Sequence, residues 1–279
     1  MSGANSIALK NPSGLGWRLE WRWATVKNGM KDTLAYRGDF IIGMLSSAFV
    51  PVAIQLMMWN AIFKNNGGGT FGGMSHSELL AYTWTSLLFT QIRGGDYDFE
   101  LIEMIRTGTL SNFMLRPVGV VEFTFYQGFG QKLLTAGFCL FLGMVATFFT
   151  PMSMTNLILA IMLAIVGNVI HYIFGAALAA VAFYWENAFA VLMVKNMVVS
   201  LLCGEVIPLT IVPDQWAWIW KSLPFYLYVF GPSQIALGKW DHLRWAQEMG
   251  IGIGWILGFW LMLKLTWGYS MKRYQGIGG

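Results

Sequence analysis

The chain has little charge: 11% of its 279 residues are Asp, Glu, Lys or Arg, well under the roughly 25% of an ordinary soluble domain. With 56% apolar residues, this scarcity excludes a soluble fold and makes the chain an integral membrane protein. The net charge of +4 is small and no dense basic patch stands outside the apolar runs, which excludes nucleic-acid binding. Cysteine is nearly absent. Cys139 and Cys203 lie alone in apolar runs, with no CxxC and no histidine at ligand spacing, so they read as packing thiols and offer neither a disulfide nor a metal site. The three histidines, His76, His171 and His242, are scattered, and neither H-E-x-x-H nor G-x-S-x-G occurs. No G-x-x-x-x-G-K-[ST] loop occurs either; the nearest approach, Gly231 to Lys239 in GPSQIALGKW, has the wrong spacing and no following Ser or Thr. The chain is therefore expected to hold no catalytic residue, no metal and no cofactor, and not to be an enzyme.

What is present is a series of apolar runs. A hydrocarbon layer of about 30 Å takes about 20 apolar residues per helix, and six segments qualify: 40–63, 78–94, 128–150, 155–184, 187–204 and 248–269. The first begins behind a long polar and aromatic leader, too late and too long for a cleaved signal peptide. Fourteen Trp and twenty Phe suit span packing and interfacial belts. The leader carries Lys10, Arg18, Arg22, Lys27, Lys31 and Arg37, and Lys264, Lys272 and Arg273 close the chain. By the positive-inside rule both termini are expected on the cytoplasmic side.

Within the leader, Leu19, Trp23, Val26, Met30 and Leu34 share one helical face, flanked by Arg18 and Arg22 on one side and Lys27 and Lys31 on the other. This predicts an interfacial helix whose stripe enters the acyl boundary while the basic stems reach lipid phosphates. Trp17 and Trp21 point away from the stripe, toward a protein neighbour.

Between the second and third runs lies Arg93 to Pro117, RGGDYDFELIEMIRTGTLSNFMLRP. On a helix, Leu101, Ile102, Met104 and Ile105 share one face and Glu100, Glu103 and Arg106 the other. The topology puts this loop on the cytoplasmic side. Its apolar face must be buried in a partner's groove or against the base of the bundle, and the partner's groove is the expectation. Arg116-Pro117 marks its end. Between the fifth and sixth runs the sequence is too apolar for an ordinary outside loop, yet is broken by Pro208, Pro213, Pro224 and Pro232. A re-entrant helical pair is the expectation, with Trp216, Trp218 and Trp220 at the outer interface. Ionisable groups inside apolar runs are costly. Lys132 and Glu186 fall near run ends, where snorkelling accounts for them. Lys195 and Glu205 lie deeper, and the Glu205 carboxylate is expected to cap backbone N–H groups freed at the turn.

The order of parts resembles the permease subunit of a bacterial ATP-binding-cassette exporter, of the six-span class with a re-entrant external hairpin. The resemblance rests on IRTGTLSNFMLRPVG, GEVIPLTIVPDQW, LPFYLYVFGPSQIALG and GWILGFWLMLKLTWGYSMKRYQGIG. It implies an all-α membrane fold: a leader over 1–39 with a connecting helix carrying Arg18, Arg22, Trp23, Lys27 and Lys31, then one six-span domain over 40–279. Within that domain it implies a coupling loop over 93–117, with Phe99, Leu101, Ile102, Glu103, Met104, Ile105 and Arg106 in the coupling helix. The re-entrant segment, 205–245, would hold Glu205, Pro208 and Pro213 as gating positions. The resemblance further implies a second permease, identical or homologous, two separate ATPase subunits that bind ATP and Mg, and a place in the bacterial inner membrane. Two alternatives stay open: an ion-coupled secondary transporter or channel, for which Lys195 and Glu205 are the candidate midplane groups, and a membrane assembly subunit that transports nothing.

Overall fold

The structure is a computed structural model that describes residues 15–65, 69–93, 97–147 and 152–274. Among the described residues there is no strand, only an isolated bridge between Phe71 and Met74. The helices are α1 (Leu15–Ala35), α2 (Arg37–Asn65), α3 (His76–Arg93), α4 (Tyr97–Arg106), α5 (Ser111–Met114), α6 (Val120–Thr147), α7 (Met154–Ala179, prolonged by a 3₁₀ turn), α8 (Ala188–Leu202), α9 (Ala217–Lys221), α10 (Phe230–Ala236) and α11 (His242–Ser270). Each expected apolar run falls on a helix. The third and sixth begin earlier than read, at Val120 and His242, because their first turns mix apolar residues with polar and charged ones and so break the continuous apolar run. Three helical segments, Arg37–Asn65, Met154–Phe183 and His242–Ser270, are long and apolar enough to cross a bilayer. α8 is apolar but has only 15 residues. Lys10 of the leader and Gly94, Gly95 and Asp96 of the loop lie outside the described residues.

α7 is the central post, packed on by α3, α4, α8, α10 and α11. It starts where the Ser153 hydroxyl accepts from Thr155 N–H, and α11 starts where Asp241 accepts from Arg244 N–H at 2.8 Å, each an N-cap that satisfies a donor the helix leaves free. α11 runs parallel to α7, since Trp245 Nε1 donates to the Leu159 carbonyl at 2.9 Å and Trp267 Nε1 to that of Ala176 at 2.7 Å. Lipid tails are as apolar as leucine, so such helices cohere through close backbone approach at small residues. Gly29 of α1 and Gly130 of α6 provide it reciprocally: a Cβ on Gly29 would collide with the Gln127 carbonyl, and one on Gly130 with that of Val26.

The 205–241 segment folds back along α7. It descends through two 3₁₀ turns and α9, reaches its far point at Pro224–Leu227, and returns through α10. The Leu227 carbonyl lies over Gly167, where a Cβ would come within 2.6 Å. Phe225 packs on Phe174 and Tyr228 edge-on to His171, at ring separations of 5.5 and 5.4 Å. On the return arm Gly231 approaches Leu163 and Gly238 approaches Asn156. From Phe174 to Asn156 is about 27 Å of helix, so the segment reaches the middle of α7 and beyond. Trp216 and Trp218 are exposed. Trp220 is not: it turns inward against Tyr226 and Phe230, because the hairpin needs an apolar filler at its elbow.

Candidate functional site

α4 is built on an i, i+3, i+4, i+7 pattern, and the residues at those positions are Asp98, Leu101, Ile102 and Ile105. All four are buried, against α6, α7 and α8 of the same chain. The apolar face expected to meet a partner is therefore occupied by the base of the bundle. The physical reason is the ring of small residues on α7 and beyond, Ala176, Ala179, Ala180 and Ala188, which leaves a groove of helix width that Leu101 and Ile102 fill. What α4 leaves exposed is its charged face, Glu103 and Arg106, with Phe99 and Met104 half-buried at the edges.

Both ends of α4 are fixed. At the start, Tyr97 lies in the notch left by Gly128 and its hydroxyl donates to the Gly128 carbonyl. At the end, Gly108 adopts φ 75°, which favours glycine, Leu110 N–H closes on the Met104 carbonyl at 3.0 Å, and the Tyr274 hydroxyl donates to the Gly108 carbonyl at 2.9 Å.

The joint between α3 and α4 carries the densest buried charge of the described residues. Before it, Arg93 pairs with Glu205 at 2.6 Å; after it, Asp98 pairs with Lys195. The second pair is nearly dry, with side chains 6% and 3% exposed. Around them, Asn168 donates to the carbonyls of Ile92 and Arg93, Gln55 donates to that of Glu205, and Tyr82 donates to that of Gly204. Asp98 also sits in a notch at Gly175, where a Cβ would come within 2.7 Å of its Oδ2. Arg93 and Asp98, read from sequence as loop charges, thus lie inside the bundle beside the C-terminal half of α7, at Asn168 and Gly175. Glu205 does not cap a backbone turn; the nearby guanidinium takes its carboxylate instead. Sequence held one signal for this. Asp98 occupies the first position of an otherwise apolar face, and an acid there requires a buried cation.

The leader residues divide in the same way. Trp21 meets Tyr126 edge-on at 5.8 Å, the protein neighbour expected for it. Arg22 does not snorkel: it pairs with Glu122 and lies over the Tyr126 ring at 5.4 Å. Val26 is buried in the seam with α6 and leaves the stripe, because Gly29 pulls that side of α1 into contact. Leu19, Trp23 and Leu34 remain exposed, as do Arg18, Lys27 and Lys31. Pro208 is buried and Pro213 exposed, and each precedes a 3₁₀ turn of the hairpin.

At the other end of α3, Ser75 and Glu78 form a capping box, with Ser75 N–H donating to Glu78 at 2.8 Å. Lys239, on the return arm, pairs with the same carboxylate. Those hydrogen bonds, the lysine's first, hold the Glu78 carboxyl down at about 2. At the base, burial and then the nearby Asp32 push the Glu100 carboxyl above the usual carboxylate range. Among the described residues no group of His, Cys, Asp and Glu could hold a metal ion.

No curated protein and no solved structure matches the chain. The family described as ABC-2 family transporter protein matches residues 49–278, from within α2 through the joint and the folded-back segment to beyond the end of α11. With that interval covering most of its length, the chain belongs to the ABC-2 family of transporter proteins, as a multi-pass membrane permease component.

Proposed function

We propose that the chain is the permease half of an ATP-driven exporter, crossing the inner membrane of a bacterium six times with both termini in the cytoplasm. It forms the substrate pathway with a second permease chain and is powered by two separate ATPase subunits that bind ATP and Mg. α1 is the connecting helix, α4 the coupling helix, and the 205–245 segment a re-entrant hairpin on the outer side. The observation that carries this reading is the two-sided mounting of α4. Its apolar face is locked into the bundle while Glu103 and Arg106 are offered to solvent, as a lever arm for an external motor requires. Exposed apolar faces on α2 (Ile42, Ile54, Met57) and α8 (Met193, Met197, Leu201) supply surface for lipid and for the second permease.

ATP binding shifts such a transporter only through different affinities for its inward-open and outward-open states, so the motor's movement must reach the spans through stiff contacts. Here α4 hands displacement to α8 through Asp98 and Lys195, and α3 hands it to the hairpin through Arg93 and Glu205. Glu103→Lys or Arg106→Glu is expected to weaken recovery of the ATPase subunit when the complex is purified, or to leave ATP hydrolysis running without transport. Wild-type recovery and wild-type coupling in both variants would reject α4 as the coupling helix. Transport that continues with an ATPase subunit unable to hydrolyse ATP, and stops when the ion gradient is collapsed, would favour the ion-coupled alternative.

A further inference from the structure

A cavity of about 600 Å³ opens at the base of the bundle between the end of α1, the start of α2, α4, α6 and α8. Its walls combine two kinds of group. Phe40, Tyr97, Phe99 and Phe189 supply aromatic surface, and Glu100 and Glu103 supply carboxylates, with Lys132 the cation among the lining residues. Neither glutamate side chain has a hydrogen-bond or ion-pair partner among the described residues. Burial is the main cost of keeping Glu100 ionised, and the nearby carboxylate of Asp32 adds to it. The lining already attracts cations, since the Arg106 guanidinium lies 5.0 Å from the centre of the Phe189 ring. A half-buried Glu100 and a solvent-facing Glu103 beside ring faces match an organic cation with apolar substituents: the rings attract the positive charge through their quadrupole and the carboxylates through their full charge. The volume lies within the range of sites that enclose a drug-sized molecule.

We propose that this cavity is a binding site for a lipophilic organic cation, with Glu100 and Glu103 as its counter-charges. That such a ligand is the cargo rests on the exporter reading. The binding itself does not, and it is measured without ATP, so the two can fail separately.

The test is equilibrium dialysis of the full chain, purified in detergent with whatever subunits accompany it, against tetraphenylphosphonium. Tetraphenylborate, nearly the same shape with the opposite charge, reports apolar partitioning. Wild-type protein is expected to bind the cation saturably and in preference to the anion. Glu100→Gln with Glu103→Gln should weaken the cation by about tenfold or more and leave the anion unchanged. A second measurement uses unaltered protein: a hydrophobic carbodiimide modifies Glu100 and Glu103, and tetraphenylphosphonium should slow that modification in peptide mapping. The proposal is overturned if the double variant binds the cation as wild type does, if the anion binds equally well, or if the cation leaves carbodiimide modification of both glutamates unchanged. Should the double variant fail to fold, the mapping on wild-type protein decides.

Discussion

Lys195→Met should damage this protein more than almost any other single change, and a second change should repair it. The Lys195 and Asp98 side chains are 3% and 6% exposed and are each other's counter-charge. Removing the ammonium leaves a carboxylate facing α7 at Gly175, with one hydrogen bond from Phe99 N–H to share its charge. Breaking one side of a buried pair costs about 3–5 kcal/mol, whereas replacing both partners by apolar residues of similar volume is close to neutral or stabilising. For a chain of this size about 1 kcal/mol moves the melting temperature by about 2–4 °C. Lys195→Met alone is therefore expected to lower it by about 6–20 °C. Asp98→Leu alone should do similar harm, and the two together should return it to near the wild-type value. Tryptophan fluorescence during thermal unfolding in detergent reads this directly. The reasoning fails if either single variant melts within about 2 °C of wild type, or if the double variant is no better than the worse single one.

Other perturbations probe the remaining contacts. Glu205→Gln should loosen the joint less than loss of Lys195, because Arg93 and Glu205 are 12% and 26% exposed and water screens part of the loss; exchanging the two charges, Arg93→Glu with Glu205→Arg, should restore coupled ATPase activity that the single variant loses. Gly167→Val should push the hairpin tip off α7, and in a Cys139→Ser background the buried Cys203 should then react with maleimide, which it resists in the wild-type bundle. Glu78→Gln should cost up to about 1 kcal/mol at neutral pH, given how exposed the pair with Lys239 is. The folded-state value for Glu78 is depressed from 4.5 to about 2, so its contribution is present above pH 4.5 and is lost as pH falls toward 2; the stability gap between variant and wild type should close across that window.

The helices were legible because runs of about 20 apolar residues have few other solutions in a bilayer. The amphipathic character of α4 was legible for the same kind of reason, since its period is local. Its occupant was not. Whether Leu101 and Ile102 meet a partner or their own bundle depends on the alanines and glycines of α7 and α8, far along the chain, whose meaning emerges only when helices touch. The leader failed in the same way: large residues announced a stripe, while Gly29, which fixes how α1 sits on α6, added nothing to an apolar count. Lys195 and Glu205 stood out as costly positions, but their partners are 97 and 112 residues away, and no periodicity connects them.

That separation bears on how the protein is made. A ribosome adding about 5–20 residues per second needs about 5–20 s to pass from Asp98 to Lys195, and slightly longer from Arg93 to Glu205. Throughout that interval α3 and α4 carry charges whose complements have not been synthesised. Asp98 cannot form its buried pair until α8 is made, nor Arg93 its own until Glu205 follows. The contacts that tie α4 to α8 and α3 to the folded-back segment thus come late in synthesis, with those of α10 and α11 still to follow.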